Sequence, residues 1–135
     1  MWPAERTSNF ESNQPKRQRK VTSTMHTFID VAGASGMTYR FYKVHDTLKL
    51  PAIAGNFVYV RGDAPNSVAV CCGTDETLLN AATRWNTAQH VHNAQAIYVR
   101  RNVSWKVRAS EHDDIVQRHR PPLIAAAEMD RQILG

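Results

Sequence analysis

Gly55-Asn56-Phe57-Val58-Tyr59-Val60 and Val68-Ala69-Val70-Cys71-Cys72-Gly73-Thr74, joined through Gly62-Asp63-Ala64-Pro65-Asn66, are the stretch from which the rest of the chain is read. Both runs are rich in β-branched and aromatic residues, and the link between them is made of turn formers, so they predict a pair of strands. Upstream, residues 25–31 and 37–44 are also β-rich and flank Ala32-Gly33-Ala34-Ser35-Gly36, which predicts an N-terminal β-hairpin. Downstream, Thr74 is placed to cap a helix over about 75–87, with Asp75 and Glu76 suited to its positive end. Residues 95–100 read as a further strand. Asn102 is placed to cap a helix from 103 to about 118 that ends before Pro121, and Pro122 suits the first turn of a last helix over about 123–134. The expected order is ββ ββ α β α α, an α+β domain.

A chain of 135 residues with 42% hydrophobic content suffices for one compact domain, expected over 22–135, behind an arm at 1–21. No apolar run approaches the roughly 20 residues of a membrane helix, so no membrane partner is expected. The first residues have no apolar stretch of signal-peptide type, which sets a cytoplasmic expectation. Cys71 and Cys72 are adjacent on a strand and point to opposite faces, poorly placed to pair, so they read as buried thiols. Their spacing to His90 and His92 matches no zinc pattern.

The net charge of +5 suits a polyanionic partner. Residues 1–21 show neither helical nor strand periodicity, and they carry the densest basic run, in which Lys16, Arg17, Arg19 and Lys20 could track a phosphate backbone of DNA or RNA. A second set, Arg100, Arg101, Lys106, Arg108, Arg118 and Arg120, clusters around the 95–100 strand and the helix after it, and could cradle nucleic acid if it gathers on one face. Asp113 and Asp114 interrupt this set and have helical spacing for a pairing with Arg118.

The ordered fragments at 55–60 and 68–74, with the acid-rich helix that runs into Arg120-Pro121, resemble the GIY-YIG endonuclease family over about 52–123. The resemblance implies a small antiparallel sheet flanked by helices, here with an added N-terminal hairpin. It also implies hydrolysis of phosphodiester bonds by two tyrosines, an arginine and a glutamate that holds magnesium or manganese. Each type has a chemical reason: a phenol orients or deprotonates water, a guanidinium stabilises charge on phosphate, and a hard cation takes carboxylate oxygen.

Carried over by position, Gly55 and Gly73 keep the family's glycines, but Phe57 and Cys71 stand where its tyrosines would be. Tyr59, two residues beyond Phe57, lies on the same strand face, and Arg84 is the arginine of the following segment. Counting back from Pro121, the metal-ligand position falls on His112, with Glu111 one residue before it. Trp105, Ala109, His112 and Val116 have spacings of four, three and four, so they are expected to share the face that packs on the sheet, and Glu111 is turned by about 100° from His112. Imidazole is a poor substitute for carboxylate toward magnesium. Ile124 replaces the family's final asparagine.

Three readings follow. The first is a GIY-YIG-like domain with impaired catalysis that binds nucleic acid or a protein, and needs no cofactor. A second is an active endonuclease using Tyr59, Arg84 and Glu111 with magnesium or manganese. A third is a structural subunit docking on an acidic protein partner.

Overall fold

The computed structural model describes residues 27–63 and 66–129. Eight elements follow in order: β1 (Phe28–Ala32), β2 (Thr38–Lys43), β3 (Gly55–Arg61), β4 (Val68–Asp75), α1 (Trp85–His92), β5 (Ala96–Arg101), α2 (Trp105–His119) and β6 (Leu123–Ala125). The strands form one six-stranded sheet in the order β1-β2-β5-β3-β4-β6. All pairings are antiparallel except β4 with β6. The expected α+β class holds, and the N-terminal hairpin extends the sheet by pairing Tyr42 and Lys43 of β2 with Val99 and Tyr98 of β5. The arm at 1–21, with Lys16, Arg17, Arg19 and Lys20, lies outside the described residues.

Alternation along β3 and β4 divides the core into two layers. Phe57, Tyr59, Cys71, Leu78, Ala88 and Ile97 pack together on the α1 side. Val58, Val60, Cys72, Tyr39, Phe41 and Ile115 pack on the other, which α2 covers. No helix among the described residues is long and apolar enough to cross a membrane.

On the α2 side, polar groups are as deeply placed as apolar ones. Arg108 and Glu128 are both buried and form an ion pair, with Arg108 Nε 3.1 and 3.2 Å from the two carboxylate oxygens and Nη2 closer still to one of them. Thr74 donates its hydroxyl to the same carboxylate at 2.7 Å. Arg108 Nη1 donates to the carbonyls of Asn102 and Val103, while the Arg108 carbonyl accepts from the Asn56 amide at 2.9 Å. Every buried charge in this group is therefore met by several partners, as desolvation demands.

The N-terminal hairpin is fastened to α2 by a second set of bonds. Asp114 accepts from the Ser35 amide at 2.8 Å, the Ser35 hydroxyl at 2.6 Å and the Tyr39 hydroxyl at 2.6 Å. These bonds hold the Asp114 carboxyl below its usual range and raise the Tyr39 phenol. A side chain at Gly33 would lie 2.0 Å from Asp114 Oδ2, so the close approach requires glycine here. Asp114 thus serves the hairpin rather than the expected pairing with Arg118.

Three expected helices are corrected in extent. β4 continues through Asp75 because Gly55 and Asn56 keep pairing with Asp75 and Thr74, so the chain stays extended where a helix was expected to start. Thr77 then caps a short 3-10 turn at Leu78–Asn80, and α1 begins only at Trp85. The cap of α2 is Ser104, whose hydroxyl accepts from the Val107 amide, because the Asn102 side chain donates to Asn56 and Glu111 instead. After α2, Arg120 takes a left-handed backbone, and two prolines deliver the chain in extended form to the open edge of β4. Residues 123–125 are consequently a strand; helical backbone is present at 127–129.

Breaking the buried pair leaves one uncompensated charge. Arg108→Met is expected to lower stability to urea by about 3–5 kcal/mol, and adding Glu128→Leu is expected to restore most of that loss. Equal instability of the single and double variants would contradict this role.

Candidate functional site

The positions named by the resemblance fall into two groups. Phe57 and Cys71 lie on the α1 side of the sheet, with Tyr59 beside them. Phe57 sits opposite Gly73, and a side chain at Gly73 would meet the phenylalanine ring at 2.2 Å, so the retained glycine makes room for that ring. Phe57, Arg84 and Ile124 line one groove of about 340 Å³ together with Asp75, Asn80 and Thr83. Arg84 is exposed and precedes α1 as its N-cap residue.

The lining of this groove mixes polar and apolar side chains, and Tyr59 lies beneath Phe57 in the packed layer. Tyr59 is fully buried; its hydroxyl donates to the Ala81 carbonyl at 2.5 Å and accepts from the Arg84 amide at 3.3 Å. Its ring stands edge-on to Trp85 at 5.2 Å. Burial pushes the phenol well above its ordinary value, so it holds its proton and braces the loop before α1. Burial likewise pushes the thiols of Cys71 and Cys72 up to about 12, which keeps them protonated and poor nucleophiles at neutral pH.

Glu111 and His112 belong to α2, on the opposite face. Alternation explains the separation: Asn56, whose side chain meets α2, neighbours Phe57, whose ring points away from it. His112 is buried, as helical phasing led one to expect, yet it faces the layer containing Cys72 and Val58 rather than Phe57 and Cys71. The buried stripe of α2 is Arg108, His112 and Ile115; of the expected Trp105, Ala109, His112 and Val116 only His112 is in it, and the other three are half-buried.

Glu111 is half-buried, and its carboxylate is already engaged. Arg100 Nε lies 2.7 Å from Oε1 and Nη2 lies 3.3 Å from Oε2, while the Asn102 amide donates to Oε1 at 2.9 Å. A divalent cation here would have to displace a guanidinium, and among the described residues no group of three or more His, Cys, Asp or Glu side chains could hold a metal ion.

The expected basic set also divides. Arg108 is buried against Glu128 and Arg100 is paired with Glu111, so both are structural cations. Arg101, Lys106, Arg118 and Arg120 are exposed. Sequence reasoning missed Tyr42, Lys43 and Lys49, which line a larger groove with Arg101. The signal available was a pair of aromatic residues flanked by basic ones, Arg40-Phe41-Tyr42-Lys43, on the added hairpin.

At the level of fold the chain is similar to crystal structures of the GIY-YIG N-terminal endonuclease domain of UvrC from Thermotoga maritima, point mutants bound to their catalytic divalent cation. Two of these are 13% identical to it and a third 15%, each with a TM-score of 0.45 over 56% of this chain and 87% of that domain. No protein-family model matches the chain, and no curated protein sequence does.

Burial holds the His112 imidazole below its ordinary value of 6.5, against the opposing pull of Asp113 and Glu128. A base that is harder to protonate when folded takes up its proton by unfolding. Stability is then complete above pH 6.5 and falls as the pH drops below it. The urea midpoint is expected to decline through this window in the wild type and to decline less in His112→Met. Equal slopes in the two proteins would contradict the assignment.

Proposed function

We propose that this chain is a nucleic-acid-binding domain on a nuclease-like scaffold whose hydrolytic chemistry is impaired. The observation that carries the reading is the division of the expected site by the sheet. Phe57, Tyr59, Cys71 and Arg84 are on one face; Glu111 and His112 are on the other. In-line attack on a phosphodiester needs the activated water, the metal and the charge-stabilising groups within a few ångströms of one phosphorus atom. Two of the required phenols are absent from their positions, and the remaining tyrosine and glutamate are engaged in bonds within the protein.

Binding requires less. An excess of cations can neutralise phosphate oxygens without assembling a reacting centre, and the net charge of +5 with the exposed Arg101, Lys106, Arg118 and Arg120 supports that use. Phosphate contacts of this kind give affinity without base specificity.

Purified protein incubated with plasmid DNA and millimolar magnesium or manganese is expected to leave it intact, and to bind nucleic acid with an affinity that falls steeply with salt. Cleavage by the wild type that disappears in Glu111→Ala would overturn the impaired-enzyme reading. Absence of binding at low salt to both DNA and RNA would overturn the binding one.

A further inference from the structure

Building on the nucleic-acid reading, we infer that the groove between β2, the end of β5 and residues 44–51 is a binding site for single-stranded nucleic acid. In this site a base stacks on Tyr42 while Lys43, Lys49 and Arg101 hold the neighbouring phosphates. The groove measures about 710 Å³, within the range of ligand-sized clefts, and is lined mostly by β2 and residues 44–51, with Val99, Arg100 and Arg101 contributed by the stretch at 52–123 that resembles a nuclease.

Its floor is an aromatic platform. Tyr42 is 54% exposed although its strand is paired on both sides, and its cross-strand partner Val99 continues the apolar surface. Phe28 supports the tyrosine ring edge-on at 6.1 Å, and the Arg40 guanidinium, held by Asp30, covers Phe28 at 4.0 Å. The tyrosine is therefore fixed from beside, and the side facing the groove is left to a partner.

The rim is cationic and available. Among the described residues Lys43, Lys49 and Arg101 have no carboxylate partner, in contrast to Arg40, Arg100 and Arg108. The lining carboxylate, Asp46, accepts a hydrogen bond from the Leu48 amide and shapes the wall. Phosphate-neutralising cations around an exposed aromatic ring match an unpaired strand, whose bases offer their π faces; a duplex keeps those faces stacked inside.

The test is fluorescence anisotropy of the full chain with a labelled single-stranded oligonucleotide, an abasic strand of equal length and a duplex. Tyr42→Ala is expected to weaken the ordinary strand about tenfold and to leave the abasic strand unchanged. Replacing Lys43, Lys49 and Arg101 together by Gln is expected to weaken both strands and to reduce the salt slope by about 2. Binding that survives both groove variants, and is lost only when Lys106, Arg118 and Arg120 become Gln, would overturn the groove while leaving the proposed function standing. A preference for duplex that is insensitive to Tyr42→Ala would also overturn it. No binding of any strand at low salt would remove both inferences together.

Discussion

The buried Arg108 guanidinium and its Glu128 partner set the geometry on which the rest of this protein depends. A charge in that position is tolerated only while its counter-ion, the Thr74 hydroxyl and the Asn102 and Val103 carbonyls remain in place. The pair therefore ties α2 to the segment that follows β6 and keeps β6 against the edge of β4. It also fixes how α2 is rotated about its own axis. With Arg108 inward, His112 and Ile115 follow inward at helical spacing. Glu111 is left at the sheet margin beside Arg100 and Asn102, and Asp114 is turned toward the hairpin.

That rotation bears directly on chemistry. Glu111 meets an arginine of the sheet, and Phe57 and Cys71 lie across the sheet from it. The polar network occupying the α2 face is satisfied within the protein, as a buried network must be to stabilise rather than disrupt. Cations divide in the same way: Arg100 and Arg108 hold the fold together, while Lys43, Lys49 and Arg101 surround a groove between β2, residues 44–51 and the end of β5. Extending the sheet by two strands thus adds a surface where the core offers little.

Local patterns made much of this legible in the sequence. β-rich composition between turn formers identified both strand pairs and the glycine-containing turn between the first two, residues 95–100 read as a strand, and helical phasing turned His112 inward. What failed was whatever depended on partners distant in the chain. Thr74 looked like a helix cap, but its hydroxyl serves Glu128, 54 residues away. Residues 123–125 had the composition of a helix, but the unpaired edge of β4 drew them into a strand. Arg108 and Arg100 looked like phosphate ligands, since sequence gives their charge but not their burial or their carboxylate neighbours. The rest of the α2 stripe was misjudged for the same reason: a buried arginine does not register in an apolar stripe. Tyr42 went unremarked because an exposed aromatic on a hairpin acquires meaning only when β5 and residues 44–51 are seen around it.

The proposed function puts binding, rather than hydrolysis, at the centre of this protein's chemistry, and the inferred groove puts it beside β2 and residues 44–51. An amide NMR titration of the full chain with a short single-stranded oligonucleotide, in the presence of magnesium, tests this most directly. The account predicts that the largest shifts map to residues 40–49 and 99–101, that Phe57, Cys71, Arg84, Glu111 and His112 are little affected, and that the oligonucleotide is recovered intact. Shifts centred on Phe57, Cys71 and Arg84 together with Glu111, accompanied by shortening of the strand, would contradict it.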